Sequence, residues 1–388
     1  MKKVKNNKES LNLLIVSAYF YPHVGGGEQA LLGIATEFVK KGINVRVATC
    51  STTGKEYKDT YNGIEIYYYN WKVMFGHPFV KKKDLYEHVK WADITESAVY
   101  TPVPALSKAA RKFNKPHICT VYEVLGKKWY WIEPNKIKAF LFKMFEYYTI
   151  SQKNDLFIVD SEATLNDLRK YKKKANIKKI FWISEFDISD FKKDRKKFNN
   201  YFGVTSKDKV FLNYGRPGKT KGIFVYLNAI KKVVDDLPKN KLSNYKFCFI
   251  MANDPMPEKE KFIKLVKEYN LNDYVIVKDS VTREDLNNYR MCADYIVVPS
   301  ITEGFGLSAI EACEFNKKLI CSNAGSLPEV TFGDVREFEN RNSNDLAKAL
   351  KDVVSGKDIF IKKNKKDFSK ETISNEFIDA YKSVMNKK

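Results

Sequence analysis

The chain has 388 residues, 44% of them hydrophobic and 14% aromatic, which is too long for one core and too apolar for disorder. Its formal charge of +21 directs attention to anionic partners: nucleic acid, an anionic membrane or a phosphorylated substrate. The six cysteines are scattered, with no C-x-x-C pair and no Cys/His cluster, which excludes a disulfide framework and a zinc site and suits reduced thiols in the cytosol.

Lysines 2, 3, 5 and 8 precede the apolar run Leu11–Phe20. The pattern has the outline of a secretory leader, but a glycine-rich turn follows where a small-residue cleavage site should stand, so the run reads as a buried first strand. No segment approaches the ~18 uninterrupted apolar residues of a membrane span, and the expected location is cytoplasmic. Beyond the strand Leu11–Ala18, Leu31, Ile34, Ala35 and Phe38 repeat at helical spacing within Glu28–Lys40. Further strands are predicted at Asn44–Cys50, Ile64–Tyr69, Ile94–Glu96, His117–Val121, Leu156–Asp160 and Lys179–Ile183. A second series follows at Val210–Tyr214, Tyr245–Met251, Tyr274–Val277, Asp294–Pro299 and Lys318–Ser322. Strands alternating with helices imply an α/β protein with parallel sheets covered on both faces. The restart divides the chain into a Rossmann-like domain over 1–184, a linker over 185–208, a second Rossmann-like domain over 209–366 and a terminal helix over 367–388 that packs back towards the first domain. The first 184 residues carry 31 Lys and Arg against 17 Asp and Glu, a net +14 of the total +21. Either one face is built to meet anions, or the lysines are spread over solvated surface; composition leaves both open.

Ligands bind such sheets beyond the carboxyl ends of the strands, and three motifs fall there. Gly25-Gly26-Gly27-Glu28 follows the first strand and opens a helix. Glycines there admit an anion close to the backbone, where the helix start presents N–H groups. The G-x-G-x-x-G spacing of a dinucleotide site is absent. Gly215-Arg216-Pro217-Gly218-Lys219-Thr220-Lys221-Gly222 follows the first strand of the second series. It offers a guanidinium fork and ammonium groups that can neutralise a departing diphosphate. In Pro299–Ala312, Glu303 sits in a glycine-containing loop, a helix is expected to begin near Phe305, and Glu311 lies eight residues on. Carboxylates at either side of a helix start suit a nucleotide-sugar, with diols at both ends and a diphosphate between them.

These residues resemble the family 4 retaining glycosyltransferases of the GT-B fold, in which two Rossmann-like domains face each other across a cleft. The family's Glu-x7-Glu matches Glu303–Glu311, its Gly-Arg-x4-Lys-Gly matches Gly215–Gly222, and its Gly-Gly-x-Glu loop matches Gly25–Glu28, with Gly26-Gly27-Glu28 in the adjacent register. The resemblance runs over nearly the whole chain and includes Asn323–Glu329. It implies that Arg216 and Lys221 hold the donor diphosphate and that Glu311 binds the ribose. It also implies that Glu303, with the backbone of Gly304, Phe305, Gly306 and Leu307, holds the sugar and β-phosphate. Gly26 and Gly27 would approach the donor, and the base would rest near Ser280 and Val281. Glu28, Tyr122 and Glu123 fall on the acceptor side. The family commonly has a His where this chain has Tyr122, and a phenol cannot act as an imidazolium. That departure bears on donor identity and reaction details.

The implied activity is transfer of a hexosyl group, with retention, from a UDP-, GDP- or related sugar to a hydroxyl of a saccharide or lipid-linked acceptor, as in polysaccharide or glycolipid synthesis. No cofactor is expected. No metal is expected either, since the chain has no D-x-D. Rival readings are a GT-B-fold epimerase or phosphorylase, and a non-catalytic scaffold whose charge serves a membrane or nucleic acid; nucleic acid is not expected, because no aromatic–basic motif of recognisable type is evident. Lys127-Lys128-Trp129-Tyr130-Trp131-Ile132 reads as a loop, and Ile137, Phe140, Leu141, Met144 and Phe145 share one helix face flanked by Lys138 and Lys143. Either that face packs on the domain core and the aromatics line a sugar pocket, or it lies on an anionic membrane as a peripheral contact on the inner leaflet.

Overall fold

In the computed structural model the described residues are 10–23, 25–74, 77–98, 100–184, 191–253 and 255–386. The N-terminal lysines and residues 185–190 of the stretch read as a linker lie outside them. The chain divides into two units, Met1–Ile183 with Phe368–Lys388, and Ser184–Asp367.

The first unit contains β1 (Asn12–Val16), α1 (Gly26–Lys40), β2 (Asn44–Cys50), β3 (Tyr57–Tyr61), β4 (Ile64–Tyr69), the short ribbon β5 (Val73–Met74) and β6 (His77–Pro78), and α2 (Tyr86–Trp91). It continues with β7 (Ile94–Ala98), α3 (Pro102–Lys112), β8 (His117–Val121), α4 (Trp129–Ile132), α5 (Lys136–Ser151), β9 (Leu156–Val159), α6 (Glu162–Tyr171) and β10 (Ile177–Lys179). The strands form one sheet in the order β10-β9-β8-β7-β1-β2-β4-β3, parallel except for β3, which pairs with β4 antiparallel. Leu13 to Val16 of β1 are wholly buried, as expected of a central strand with both faces covered. In α1 the glycine start leaves the first-turn N–H groups open, Glu28 complements the positive end, and Ala30, Leu31, Ile34, Ala35 and Phe38 form the buried face.

The second unit opens with α7 (Arg195–Phe202), so most of the described stretch read as linker is part of a folded unit. Its apolar residues Phe198 and Phe202 are buried beside Val210 and Tyr289, packing that charge content alone did not announce. There follow β11 (Lys209–Gly215), α8 (Ile223–Asp236), α9 (Lys239–Leu242), β12 (Tyr245–Met251), α10 (Met256–Glu268), β13 (Val275–Asp279), α11 (Arg283–Cys292) and β14 (Tyr295–Val298). Then come α12 (Leu307–Glu314), β15 (Lys318–Ser322), α13 (Leu327–Val330), β16 (Gly333–Phe338), α14 (Ser343–Val354) and β17 (Ile361–Lys363). The sheet order is β13-β12-β11-β14-β15-β16-β17, parallel up to β16, with β17 antiparallel at the edge. In both units the order reverses beside the first strand, between β1 and β7 and between β11 and β14, which creates a switch point where strand ends open a crevice.

The terminal helix α15 (Lys370–Met385) belongs to the first unit. Phe377 and Tyr381 meet the edge of Phe38 at 6.0 and 5.4 Å. The Tyr381 hydroxyl donates to the buried carboxyl of Glu96, which also accepts from Thr120 Oγ1 at 2.5 Å. Burial raises the Glu96 pKa, partly opposed by those hydroxyls. A carboxyl with a raised folded-state pKa contributes stability below the unfolded value of about 4.3 and loses it as pH rises through the folded value. Glu96→Gln should therefore gain in unfolding midpoint relative to the native protein between pH 5 and pH 8. Thermal melts giving an equal difference at both pH values would contradict this.

Candidate active site

In the second unit, loops after β11, β14 and β15 converge on Glu303. The loop after β11 ends in a 3-10 turn, Lys219–Lys221, and Gly222, with φ of 65°. A Cβ built on Gly222 would lie 1.7 Å from the Pro299 carbonyl oxygen, so only glycine lets this backbone reach the loop after β14. The contact is sealed by the Ile301 N–H, which donates to the Thr220 carbonyl at 2.7 Å. From the far side, a Cβ on Gly325 would lie 2.0 Å from the Glu303 carbonyl oxygen, which accepts from the Ser326 N–H at 3.2 Å.

Thus held, the Glu303 carboxylate accepts from Lys221 Nζ at 3.0 and 2.9 Å and from Ser300 Oγ at 2.8 Å. Glu303 is the more buried partner, 11% exposed against 40% for Lys221. The ammonium can therefore turn outward while the carboxylate stays. Arg216 is exposed and has no hydrogen bond or ion pair among the described residues. The helix after the Glu303 loop begins at Leu307, two residues later than Phe305, because Gly306 takes φ of 85° and serves as a cap without a side chain. Leu307 and Ser308 then present first-turn N–H groups that no intrahelical carbonyl can reach. Gly304 lies partly buried in the loop, and Phe305 and Gly306 are buried beside it.

Glu311 has a partner that motif reading did not supply. Arg290 of α11, 4% exposed, donates from Nη2 to Glu311 Oε2 at 2.5 Å and from Nη1 to Asn287 at 2.6 Å. Its guanidinium stands 4.5 Å from the Tyr214 ring centre. The Tyr214 hydroxyl donates to the Ser308 carbonyl at 2.8 Å, tying β11 to α12. Val281 packs on the apolar cluster that Tyr214 also borders. The signal available in the sequence was one arginine on the apolar side of α11, next to Tyr289 and Cys292, where a cation is admitted only with a partner.

In the first unit the Gly26-Gly27 turn opens α1. Glu28 lies 3.5 Å from His23 Nδ1, and His23 stacks on Tyr19 at 4.8 Å. A Cβ on Gly27 would touch the Tyr122 ring at 3.8 Å, so the turn after β1 and the residue after β8 are neighbours. Tyr122 leans on Trp182 at 5.2 Å. Burial, then the carboxylates Glu96, Glu28 and Asp160, push its phenol well above its ordinary pKa, so it is a hydrogen-bond donor at all ordinary pH. His23 thus supplies an imidazole on this turn, at a place the strand-end motif does not predict. The Glu123 carbonyl accepts from Tyr100 at 3.3 Å. The segment beyond it is held by the buried carboxylate of Glu146, which accepts from Leu125 and Gly126 N–H at 2.8 and 2.6 Å. That segment is not a loop: a 3-10 turn, Gly126–Lys128, leads into α4. Among the described residues no group of three His, Cys, Asp or Glu side chains could hold a metal ion.

Two Rossmann-like domains with binding loops at the switch points of parallel sheets define the GT-B class of fold. Residues 24–181 match the family model Glycosyltransferase Family 4, and residues 194–374 match the model Glycosyl transferases group 1. The chain belongs to the family 4, or group 1, glycosyltransferases. It is 25% identical over 210 residues to an uncharacterized glycosyltransferase of Methanocaldococcus jannaschii, a match covering 52% of each chain, about half of that relative's length. It is 22% identical over 366 residues to the phosphatidylinositol N-acetylglucosaminyltransferase GPI3 subunit of Saccharomyces cerevisiae, covering 89% of this chain and 75% of that one. Among solved structures, Anabaena HepE with UDP-glucose superposes with a TM-score of 0.71 at 14% identity, covering 96% of this chain and all of HepE.

Gly222→Ala should destabilise the second unit by about 2–4 kcal/mol through backbone strain and the lost loop contact. Urea unfolding measures this, and near-native stability would mean that the two loops can part without cost.

Proposed function

We propose that the protein is a retaining glycosyltransferase that moves a sugar from a nucleoside-diphosphate sugar to a hydroxyl of a saccharide or lipid-linked acceptor. The observation that carries the reading is the Lys221–Glu303 pair, clamped by three loops at a switch point, with the exposed Arg216 on the same loop as Lys221. The UDP-glucose in the HepE structure supports a donor of the same kind.

In this mechanism the diphosphate enters between Arg216 and Lys221. Lys221 turns from Glu303 towards the phosphate, and the released carboxylate accepts hydrogen bonds from the sugar hydroxyls. The N–H groups at the start of α12 meet the β-phosphate, and Glu311, steadied by Arg290, accepts from the ribose diol. As the sugar–phosphate bond breaks, negative charge on the leaving oxygen is met by fixed cations and backbone dipoles, which need no reorganisation at that moment. The acceptor hydroxyl attacks from the face the diphosphate leaves, so the anomeric configuration is kept, and its proton passes to the departing phosphate oxygen. Glu28, Tyr122 and Glu123 orient the acceptor.

The acceptor is presented at an anionic membrane surface. Ile137, Phe140 and Leu141 of α5 are 72%, 50% and 57% exposed, and Met144, Tyr130 and Trp131 are exposed as well. The buried residues of α5 are Ala139, Glu146, Thr149 and Ile150, and of the stripe only Phe145 is half-buried, which favours a surface role, while Leu141 and Phe145 also line an apolar cavity of about 260 Å³ with Tyr100 and Trp129. Lys136 and Lys138 stand exposed on the same helix, so apolar and cationic groups are offered together. Lys128 is not part of this surface charge, being paired with Asp167 at 2.8 Å, and Trp129 leans on Phe142 at 5.1 Å. No helix of the described residues is long and apolar enough to cross a membrane. The lipid named in the GPI3 relative supports such an acceptor.

Arg216→Ala should lower turnover by about 10²-fold, as for other lost electrostatic donors. Glu303→Gln should impair turnover more than UDP or GDP affinity, whereas Glu311→Ala should weaken nucleotide binding itself. Calorimetry alongside a nucleotide-sugar turnover assay separates these, and equal loss of affinity in both Glu variants would refute the division of roles. Ile137→Ser with Leu141→Ser should abolish sedimentation with anionic vesicles while leaving UDP or GDP binding unchanged. A native protein that stays in the supernatant at low salt would remove the membrane from the proposal.

A further inference from the structure

The first unit contains a second concavity, of about 730 Å³, at the opposite end of its sheet. His117 is the first residue of β8, Asp155 precedes β9 and Ala175 precedes β10, and all three line it. Tyr122 and Glu123 follow the other end of β8, a five-residue strand away, roughly 16 Å at the rise of a β-strand. The cavity is therefore separate from the acceptor side of the proposed transfer site.

Seven of its thirteen lining residues are Lys or Arg, against one carboxylate, Asp155. That carboxylate accepts the His117 N–H at 2.8 Å. Lys170 is compensated by Asp167 at 2.6 Å, and Lys172 donates to the Ser151 and Gln152 carbonyls at 2.9 and 3.3 Å, where α5 ends. The ammonium groups of Lys115, Lys153, Lys173 and Lys174 have no hydrogen bond or ion pair among the described residues. The wall that carries two of them is built in advance: Arg169 donates to the Lys173 and Ala175 carbonyls at 3.1 and 2.8 Å, and the Phe157 N–H donates to the Asn176 carbonyl at 2.9 Å. Like charges in one concavity repel one another, and a surface with no use for them would spread them out. A concave, pre-formed site of this size fits a compact ligand rather than an extended strand, which needs a groove with stacking rings.

We propose that this pocket binds clustered phosphate groups, carried either by a small free polyphosphate or by a phosphorylated lipid headgroup. Three separate chain segments, around residues 111–115, 153–155 and 170–175, contribute cationic side chains to the lining of this one concavity. Multiple ammonium groups suit an anion that presents several oxygens without demanding planar geometry. The inference does not rest on the transferase reading, because the cavity uses none of its residues.

The test is calorimetric titration of the full-length protein with sodium tripolyphosphate, alongside sedimentation with phosphatidylcholine vesicles with or without phosphatidylinositol bisphosphate. The comparison variants are Lys153→Ala/Lys173→Ala/Lys174→Ala, all exposed in the fold, and the control Lys261→Ala/Lys264→Ala/Lys267→Ala on α10. The native protein and the control should bind at low salt and release as salt rises. The pocket variant should lose about tenfold or more in affinity, with its unfolding midpoint and UDP or GDP binding unchanged. Loss confined to tripolyphosphate identifies a free anion, and loss confined to the phosphatidylinositol bisphosphate vesicles identifies a headgroup. Loss in both supports the shared chemistry. Absence of binding in both arms, or equal binding by the pocket variant and the control, would overturn the proposal.

Discussion

The arrangement around Glu303 depends on backbone approaching backbone more closely than any side chain permits. Gly222 lies against the Pro299 carbonyl and Gly325 against the Glu303 carbonyl, and these contacts bring three strand ends to one point. Loops alone would leave a carboxylate free to swing, and a mobile carboxylate discriminates poorly between ground and transition states. Here Glu303 is fixed from its own main chain outward, and the exposed Lys221 is the member of the pair able to move.

A similar economy of buried polar groups organises the first unit. Glu96 is shared by Thr120 of β8 and Tyr381 of α15, so the last helix is pinned to the middle of the sheet by a carboxyl as well as by Phe38, Phe377 and Trp182. Glu146 does the same for the segment after β8 by taking two backbone N–H groups. Buried carboxyls are costly unless hydrogen-bonded, and each of these secures chain on the carboxyl side of β8, where Tyr122 stands against the Gly27 turn. The surroundings of Tyr122 are thereby tied to packing at some distance from it.

The net charge acquires meaning only when resolved by place. Some lysines are absorbed by carboxylates, as with Lys128 and Lys170 on Asp167, and some flank exposed apolar side chains on α5. Others collect at the amino-terminal ends of β8, β9 and β10 without compensation. Composition contains all three groups and cannot tell them apart, because a Coulomb interaction depends on distance and local dielectric rather than on count.

Alternation of strand and helix and the positions of most central strands were legible in the sequence, as were the two motifs whose Lys221 and Glu303 the fold brings into contact. Local rules decide them: a parallel strand covered on both faces must be apolar throughout, and strand ends carry glycine and charge. The edges were less legible. β3 is exposed along nearly its whole length, so it carries no alternation to read. The segment read as a strand at 179–183 is apolar because Ile180 and Trp182 are buried, with Trp182 packed on Tyr122 and Phe377, while the paired strand is Ile177–Lys179. The helix face of Ile137, Phe140 and Leu141 was predictable as a stripe, but not whether anything would cover it. Arg290 beneath Glu311 and the basic pocket were decided only by the tertiary structure. Periodicity reports which side chains avoid water or seek it, but the neighbour that satisfies each one arrives from tens or hundreds of residues away, and only the folded chain brings it there.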